Sequence, residues 1–189
     1  RTFEVNTDLF YNQFKDYQIN EFDGVSFATT NAAKVDSHGV ELALSWLPLT
    51  GLLIDGGVTW SNTEFEEHPI LNNVGESLAG KRLPYAPEWA ATGAISYEMP
   101  ISSFTGFGVI NASYMGDQNI DTTLAAEGEV GSSTVVNARL GLRTDDEKWE
   151  LSLWGKNIFE ERYNVAQFNS PLQTGSWTVF RGEPRMYGA

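Results

Sequence analysis

The sequence predicts an all-β chain, an antiparallel meander of about eight strands, and two observations carry that prediction. Apolar and polar residues alternate with period two in segment after segment, while the i, i+3, i+4 spacing of an amphipathic helix persists nowhere for three turns. Aromatics make up 13% of the 189 residues, with six Trp and seven Tyr, and helix-favouring runs of Ala, Leu, Glu and Lys are nearly absent.

Taken in order, Phe3, Val5, Thr7, Leu9 and Tyr11 share one face of the first segment, with Glu4, Asn6, Asp8 and Asn12 opposite and Phe10 among them. Val40, Leu42, Leu44 and Trp46 then alternate with Glu41, Ala43 and Ser45. After a break at Pro48-Leu49-Thr50-Gly51, Leu52, Ile54, Gly56, Val58 and Trp60 alternate with Asp55, Gly57, Thr59 and Ser61, so the two segments form a hairpin. The stretch from Glu88 to Met99 alternates in the same way, and a break around Pro100-Ile101-Ser102-Ser103 leads into a less regular strand. Its best phase groups Gly108, Ile110, Ala112 and Tyr114, which leaves Phe107 and Val109 on the polar side with Asn111 and Ser113. Val136, Ala138, Leu140 and Leu142 alternate with Asn137, Arg139, Gly141 and Arg143. A turn at Thr144 to Glu147 then leads to Trp149, Leu151 and Leu153 against Glu150 and Ser152, and a weak last strand ends at Ala189.

Composition excludes several classes of function. The chain has no cysteine, which removes disulfides and thiol redox chemistry. Twelve Lys and Arg against 25 Asp and Glu give a formal charge of -13, and the only adjacent basic pair is Lys81-Arg82, so no nucleic-acid partner is expected. No window of 18 apolar residues exists, which rules out a transmembrane helix, but a transmembrane strand of about 9–11 alternating residues escapes that criterion. No nucleophile elbow and no Gly-rich phosphate loop ahead of a helix is present, so an enzyme is not expected. His38 and His68 lie far apart, the first expected near the middle of a strand and the second in a long loop. Glu64, Glu66, Glu67 and His68 are the one cluster with metal-ligating chemistry, and a run of carboxylates in such a place is more often solvated, so neither metal nor cofactor is expected.

Alternation alone fits a soluble β-sandwich with an aromatic core as well as a membrane wall. Two further features favour the membrane. Connections near 48–51, 100–104 and 144–147 are short, whereas those near 66–84, 118–132 and 160–181 are long and carry Glu66, Glu67, Asp121, Glu127, Glu129, Glu160 and Glu161. Outer-membrane barrels have that asymmetry of short periplasmic turns and long extracellular loops. The apolar face also has aromatic borders: Trp46, Tyr97 and Trp149 near the short turns, and Tyr11, Trp60, Trp89 and Tyr114 toward the long loops. At about 3.3 Å per residue and a tilt near 45°, Trp46 and Trp60 are expected roughly 20 Å apart along the membrane normal.

Several short motifs, in order, resemble the C-terminal part of the barrel of TonB-dependent outer-membrane receptors. Asn31 to Val35 followed by Ser37-His38-Gly39-Val40-Glu41 is similar to a strand of that family in which Gly39 and Glu41 form a Gly-x-Glu pattern. Gly80-Lys81-Arg82-Leu83-Pro84-Tyr85-Ala86-Pro87 resembles the end of a long outer loop, with Gly80, Pro84 and Pro87 as its markers. Asn157-Ile158-Phe159-Glu160-Glu161-Arg162-Tyr163, preceded by Trp149-Glu150-Leu151-Ser152-Leu153-Trp154, is similar to the penultimate strand, with Asn157, Phe159 and Tyr163, and Gly182-Glu183-Pro184-Arg185 resembles the approach to the last strand, with Gly182 and Pro184.

The resemblance implies that residues 1–189 are the C-terminal segment of a transmembrane barrel of about 22 strands, with the plug domain and the end of the final strand outside this chain. It implies residence in the outer membrane of a Gram-negative bacterium, with membrane lipid, lipopolysaccharide, an inner-membrane TonB energy complex and a small-molecule substrate as partners. The implied function is energy-coupled uptake of a scarce nutrient, by default an iron-siderophore chelate, with cobalamin or an oligosaccharide as other cargo. A passive or structural barrel and a soluble carbohydrate-binding β-sandwich are the rival expectations. Substrate contacts would come from the long loops, where Gln118, Asn119 and Asn169 supply hydrogen-bonding groups and Tyr85, Phe168 and Trp177 supply flat surfaces. Asn72, Asn73, Gln167 and Gln173 are polar candidates of the same kind.

Overall fold

The structure, a computed structural model, describes residues 2–22, 27–32, 34–67 and 77–189. In chain order the strands are β1 (Thr2–Phe14), β2 (Tyr17–Phe22), β3 (Phe27–Ala32), β4 (Lys34–Leu49), β5 (Leu52–Glu67), β6 (Trp89–Ile101) and β7 (Phe104–Met115). There follow β8 (Gln118–Asn119), β9 (Glu129–Val130), β10 (Ser133–Thr144), β11 (Glu150–Lys156), β12 (Asn164–Asn169), β13 (Trp177–Arg181) and β14 (Met186–Gly188). Eight of them form one sheet in the order β1-β4-β5-β6-β7-β10-β11-β14, each hydrogen-bonded antiparallel to the next. These are the eight segments that alternation picks out. The other six pair among themselves as β2-β3, between β1 and β4, and as β8-β9 and β12-β13, within the second and third long connections.

Register makes the sheet two-faced. Leu9 opposes Val40, Val40 opposes Trp60 and Trp60 opposes Trp89, so a single row of apolar residues crosses four strands on one face. The row Phe3, Trp46, Ile54, Ile95, Ile110, Ala138 runs parallel to it through direct partners. Among the described residues no second sheet covers this face. Leu9 stays 80% exposed and Leu151 71%, which a sandwich core would bury, so the sandwich expectation fails.

The aromatic borders form where alternation places them. Tyr11 opposes His38, Trp60 opposes Trp89 and Tyr114 opposes Ala91, at the end of the sheet that carries the long connections. His38 belongs to that border rather than to a strand's middle: its ring stands edge-on to Trp60 at 5.8 Å. At the short-turn end Phe3 meets Trp46 edge-on at 6.4 Å. Trp46 opposes Ile54, six residues short of Trp60 along β5, which brings the two indoles to about 14 Å apart along the normal at a 45° tilt. That is shorter than the expected spacing. Tyr97, opposite Leu52, lies two residues nearer the turns and marks the border better.

Two aromatics on the polar face are explained by glycine. Phe10 lies directly opposite Gly39 and its ring covers the space where a side chain would stand. Phe107 lies opposite Gly141, whose missing Cβ makes room for the ring, and the Arg139 guanidinium stacks over that ring at 5.4 Å. Arg139 also pairs with Glu150, and Arg143 with Glu98 at 2.8 Å, so this part of the polar face is laced by ion pairs between strands.

Two of the three short turns are tighter than expected, and the third runs from 145 to 149. β4 runs through Pro48 to Leu49 with a register shift after Trp46, and the turn is only Thr50-Gly51, with Gly51 at φ 83°. Pro100 likewise stays in β6, opposite Thr105, and the turn is Ser102-Ser103. In the third, the Asp146 carboxylate accepts hydrogen bonds from Thr144 Oγ1 at 2.6 Å and Lys148 Nζ at 2.8 Å. The Lys148 ammonium holds its titration below the ordinary carboxylate range.

Gly39→Ala would drive a methyl group into the Trp60 carbonyl and the Phe10 ring. In the full-length protein it is expected to lower stability by about 1–3 kcal/mol, read as a lower urea midpoint in detergent by the gel shift between folded and unfolded barrel.

Candidate functional site

At the long-connection end the polar face stops being polar. Val35 and Phe65, both 1% exposed, oppose each other on β4 and β5 and nucleate a small core with Ile19, Leu78 and Leu83. Burial of Leu78 and Leu83 draws the segment 77–88 down along the upper half of β5. The backbone follows: Gly80 N–H donates to Phe65 O, Phe65 N–H to Lys81 O, Leu83 N–H to Thr63 O and Ser61 N–H to Glu88 O, all between 2.7 and 3.0 Å. Gly80 takes φ 75°, a conformation that favours glycine, and Pro84 sits between two residues whose N–H groups are used, where its own lack of one costs nothing.

The next loop is tied to this one through Tyr85. Its N–H donates to Asn119 O at 2.9 Å and its hydroxyl to Ile120 O at 2.7 Å. Burial, with Asp121 close by, pushes the phenol above its ordinary value, so it remains a donor. Asn119 uses its side chain inside the loop, donating to Ala125 O at 2.7 Å and accepting from Asp121 N–H at 2.9 Å. Buried Asp121 in turn accepts from Thr123 N–H at 2.8 Å. Ile120 is fully buried, and its carbonyl accepts from Gln167 N–H at 3.1 Å, which joins the third loop to the second.

Between the first two loops lies a polar cavity of about 800 Å³, lined by Gly80, Lys81, Arg82, Leu83, Asp117, Gln118, Asn119 and Glu129 among others. Arg82 is its central cation, paired with Glu88 at 2.8 Å and lying 3.9 Å from Asp117. A smaller cavity of about 310 Å³ shares Gln118 and Val130 and reaches Arg162 and Tyr163.

Of the expected contact residues, Gln118 and Asn119 line the large cavity and Tyr85 braces it through Asn119 and Ile120. Phe168, Asn169 and Trp177 are elsewhere, on the β12-β13 hairpin, where Phe168 meets Phe180 at 5.9 Å and Asn169 opposes Trp177. They line neither cavity. Gln167 is buried at the junction of two loops, Gln173 belongs to the hairpin's tip, and Asn72, Asn73 and His68 lie outside the described residues. Arg82 was legible in sequence as half of the one adjacent basic pair, yet nothing in its neighbours' spacing tied it to Asp117 or Glu129.

The motif residues near the end of the chain meet at Asn157. This amide is 2% exposed and fully used: Nδ2 donates to the carbonyls of Glu161 and Glu183, each at 2.9 Å, and Oδ1 accepts from Glu161 N–H at 2.8 Å. Its backbone N–H donates to Asn137 Oδ1, and Asn137 Nδ2 donates to Asn111 Oδ1, both at 2.9 Å. Gly182 donates its N–H to Tyr163 O at 2.8 Å and leaves the space that the Tyr163 ring occupies. Phe159 and Pro184 are exposed at the rim of this junction. Gly39 is packed under Phe10, and Glu41 lies opposite Asp8 and Thr59 on the polar face.

Residues 1–158 match a protein family described as TonB dependent receptor-like, beta-barrel. Among solved structures, the chain is similar to the ferric yersiniabactin uptake receptor FyuA from Yersinia pestis, with a TM-score of 0.78 at 20% identity over 98% of this chain and 26% of that one. It is similar to the siderophore receptor PiuA from Acinetobacter baumannii, with a TM-score of 0.69 at 18% identity over 97% and 25%. The ferric-catecholate import receptor Fiu from K12 E. coli gives 0.68 at 20% identity over 98% and 24%. The chain thus spans about a quarter of each of these receptors.

Asn157→Ala takes the partner from two part-buried carbonyls and one N–H. At roughly 1 kcal/mol or more for each group left unsatisfied, the variant is expected to lose about 2–4 kcal/mol in urea unfolding of the full-length barrel, and Asn157→Asp to lose at least as much at neutral pH, because its carboxylate turns an oxygen toward the two carbonyls to which the amide donates.

Proposed function

The chain belongs to the TonB-dependent receptor-like β-barrel family and forms part of a large transmembrane barrel, and on that premise we propose that the intact protein is an energy-coupled outer-membrane uptake receptor for an iron-siderophore chelate. In this reading residues 1–189 are the C-terminal part of the barrel. The apolar face meets lipid, the polar face lines the lumen, the short turns face the periplasm, and the packed loops form part of the extracellular mouth. The observation that carries the reading is the polar cavity of about 800 Å³ built at the mouth between two mutually bonded loops. Its lining brings the Arg82 guanidinium, the Lys81 ammonium and the Gln118 amide beside the carboxylates of Glu64, Asp117 and Glu129, a polar mixture suited to a ligand rich in oxygen atoms and hydroxyl groups, without the paired nucleophile and base that would suggest turnover. The siderophore receptors among the structural relatives support the choice of cargo. Coupling to the TonB energy complex would run through the plug region and the inner-membrane machinery that the family's name implies.

Full-length protein is expected in the outer-membrane fraction, and a deletion strain is expected to grow more slowly only when iron is limiting. Recovery in the soluble fraction would contradict receptor and barrel alike, while a growth defect on a complex carbohydrate with iron-limited growth unchanged would replace the cargo. Arg82→Ala, in a barrel that still folds, is expected to reduce uptake of the ferric chelate about tenfold, the value of one charge-assisted hydrogen bond.

A further inference from the structure

The register of β6, β7 and β10 places a glycine between two large apolar residues at two successive levels of the apolar face. Tyr97 opposes Gly108, which opposes Leu140, and Met99 opposes Gly106, which opposes Leu142. The result is a furrow of about 430 Å³ along β7 with those residues as floor and banks. Ile101 lines it at the turn end, and Leu151 and Leu153 of β11 line its far side.

The fold itself does not require the glycine at 108. Gly108 is absent from the positive-φ glycines, and a Cβ built on it meets nothing within 4 Å, unlike every other described glycine of the eight wall strands. At Gly106 the side chain of Ile101 already reaches over the gap, its Cδ1 2.6 Å from where a Cβ would stand, so the open space centres on Gly108. Glycine inside a strand costs conformational entropy and packing, and where neither a bulge nor a tight bend accounts for it, it marks close approach by something else.

We propose that this furrow seats one acyl chain of a phospholipid in the periplasmic leaflet as a retained, structural lipid. The proposal rests on the membrane orientation given above. Three features select this occupant. The furrow is continuous with the apolar band that faces lipid and starts at the short turns. Its walls are side chains that adapt to a flexible chain, Met99 and two leucines. Its lining on β6, from Tyr97 to Ile101, runs about 13 Å along the strand, or about 9 Å along the normal at a 45° tilt, which keeps it within one leaflet of a hydrocarbon core about 30 Å thick.

The test uses full-length receptor extracted from outer membranes and washed in mild detergent, with phospholipid per barrel counted by native mass spectrometry. Gly108→Leu fills the furrow and Gly108→Ala adds a single methyl in open space. Ala138→Leu adds comparable bulk, one carbon less, to the apolar face outside the furrow. Wild type and Ala138→Leu are expected to hold one phospholipid that Gly108→Leu loses, with Gly108→Ala between them. Equal lipid counts in all four proteins would overturn the proposal, as would a wild-type dimer that Gly108→Leu dissociates, which would give the furrow to a second copy. If the wild-type protein is not in the outer membrane at all, the receptor reading has failed first, and the two failures are told apart at the extraction step.

Discussion

A strand that crosses hydrocarbon must satisfy every backbone N–H and C=O by pairing with its neighbours, because lipid offers no hydrogen bonds. The rest of this structure follows from that ladder. Once β1 is paired to β4, and β4 to β5, the period of two in each sequence becomes a common face across the sheet, and a slip of one residue would carry every apolar side chain to the wrong side. The turns of Thr50-Gly51 and Ser102-Ser103 pin that register at one end. The small core under the loops and the Asn157 junction hold it at the other.

The departures from alternation are where packing inside the wall can be seen. Phe10 and Phe107 look misplaced in a linear reading, and each is accounted for by a glycine directly across the ladder. Such pairs let a ring lie flat along the polar face instead of projecting into it, and Arg139 then stacks on one of them while bonding Glu150. Gly108 is the opposite case, a glycine whose space is filled by nothing among the described residues.

Much of the wall was legible in the sequence because period two, turn residues and aromatic borders are local signals that the ladder then enforces. The loop hairpins were not. β2, β8, β9 and β13 are short, mixed in polarity, and held by pairing partners that only the fold brings near, so no periodic signal marks them. The mouth was half legible. Tyr85 and Asn119 stood out by residue type, and the structure shows that much of their hydrogen-bonding capacity goes to bracing one loop against another. Arg82 acquires its place only when Leu83 and Leu78 are buried against Val35 and Phe65. The motif of Asn157 and Gly182 was recognisable as a pattern, but its reason, one amide bridging two distant segments, needed the fold.

The most direct test of the two-faced wall is a nitroxide scan along β4 in the full-length receptor in lipid vesicles, since this chain contributes no cysteine to confuse the labelling. Labels at Val40, Leu42 and Leu44 should collide freely with dissolved oxygen and poorly with a water-soluble nickel reagent, and those at Glu41, Ala43 and Ser45 should show the reverse. Accessibility without that period of two, or equal exposure of both sets to the aqueous reagent, would contradict a strand set between lipid and lumen.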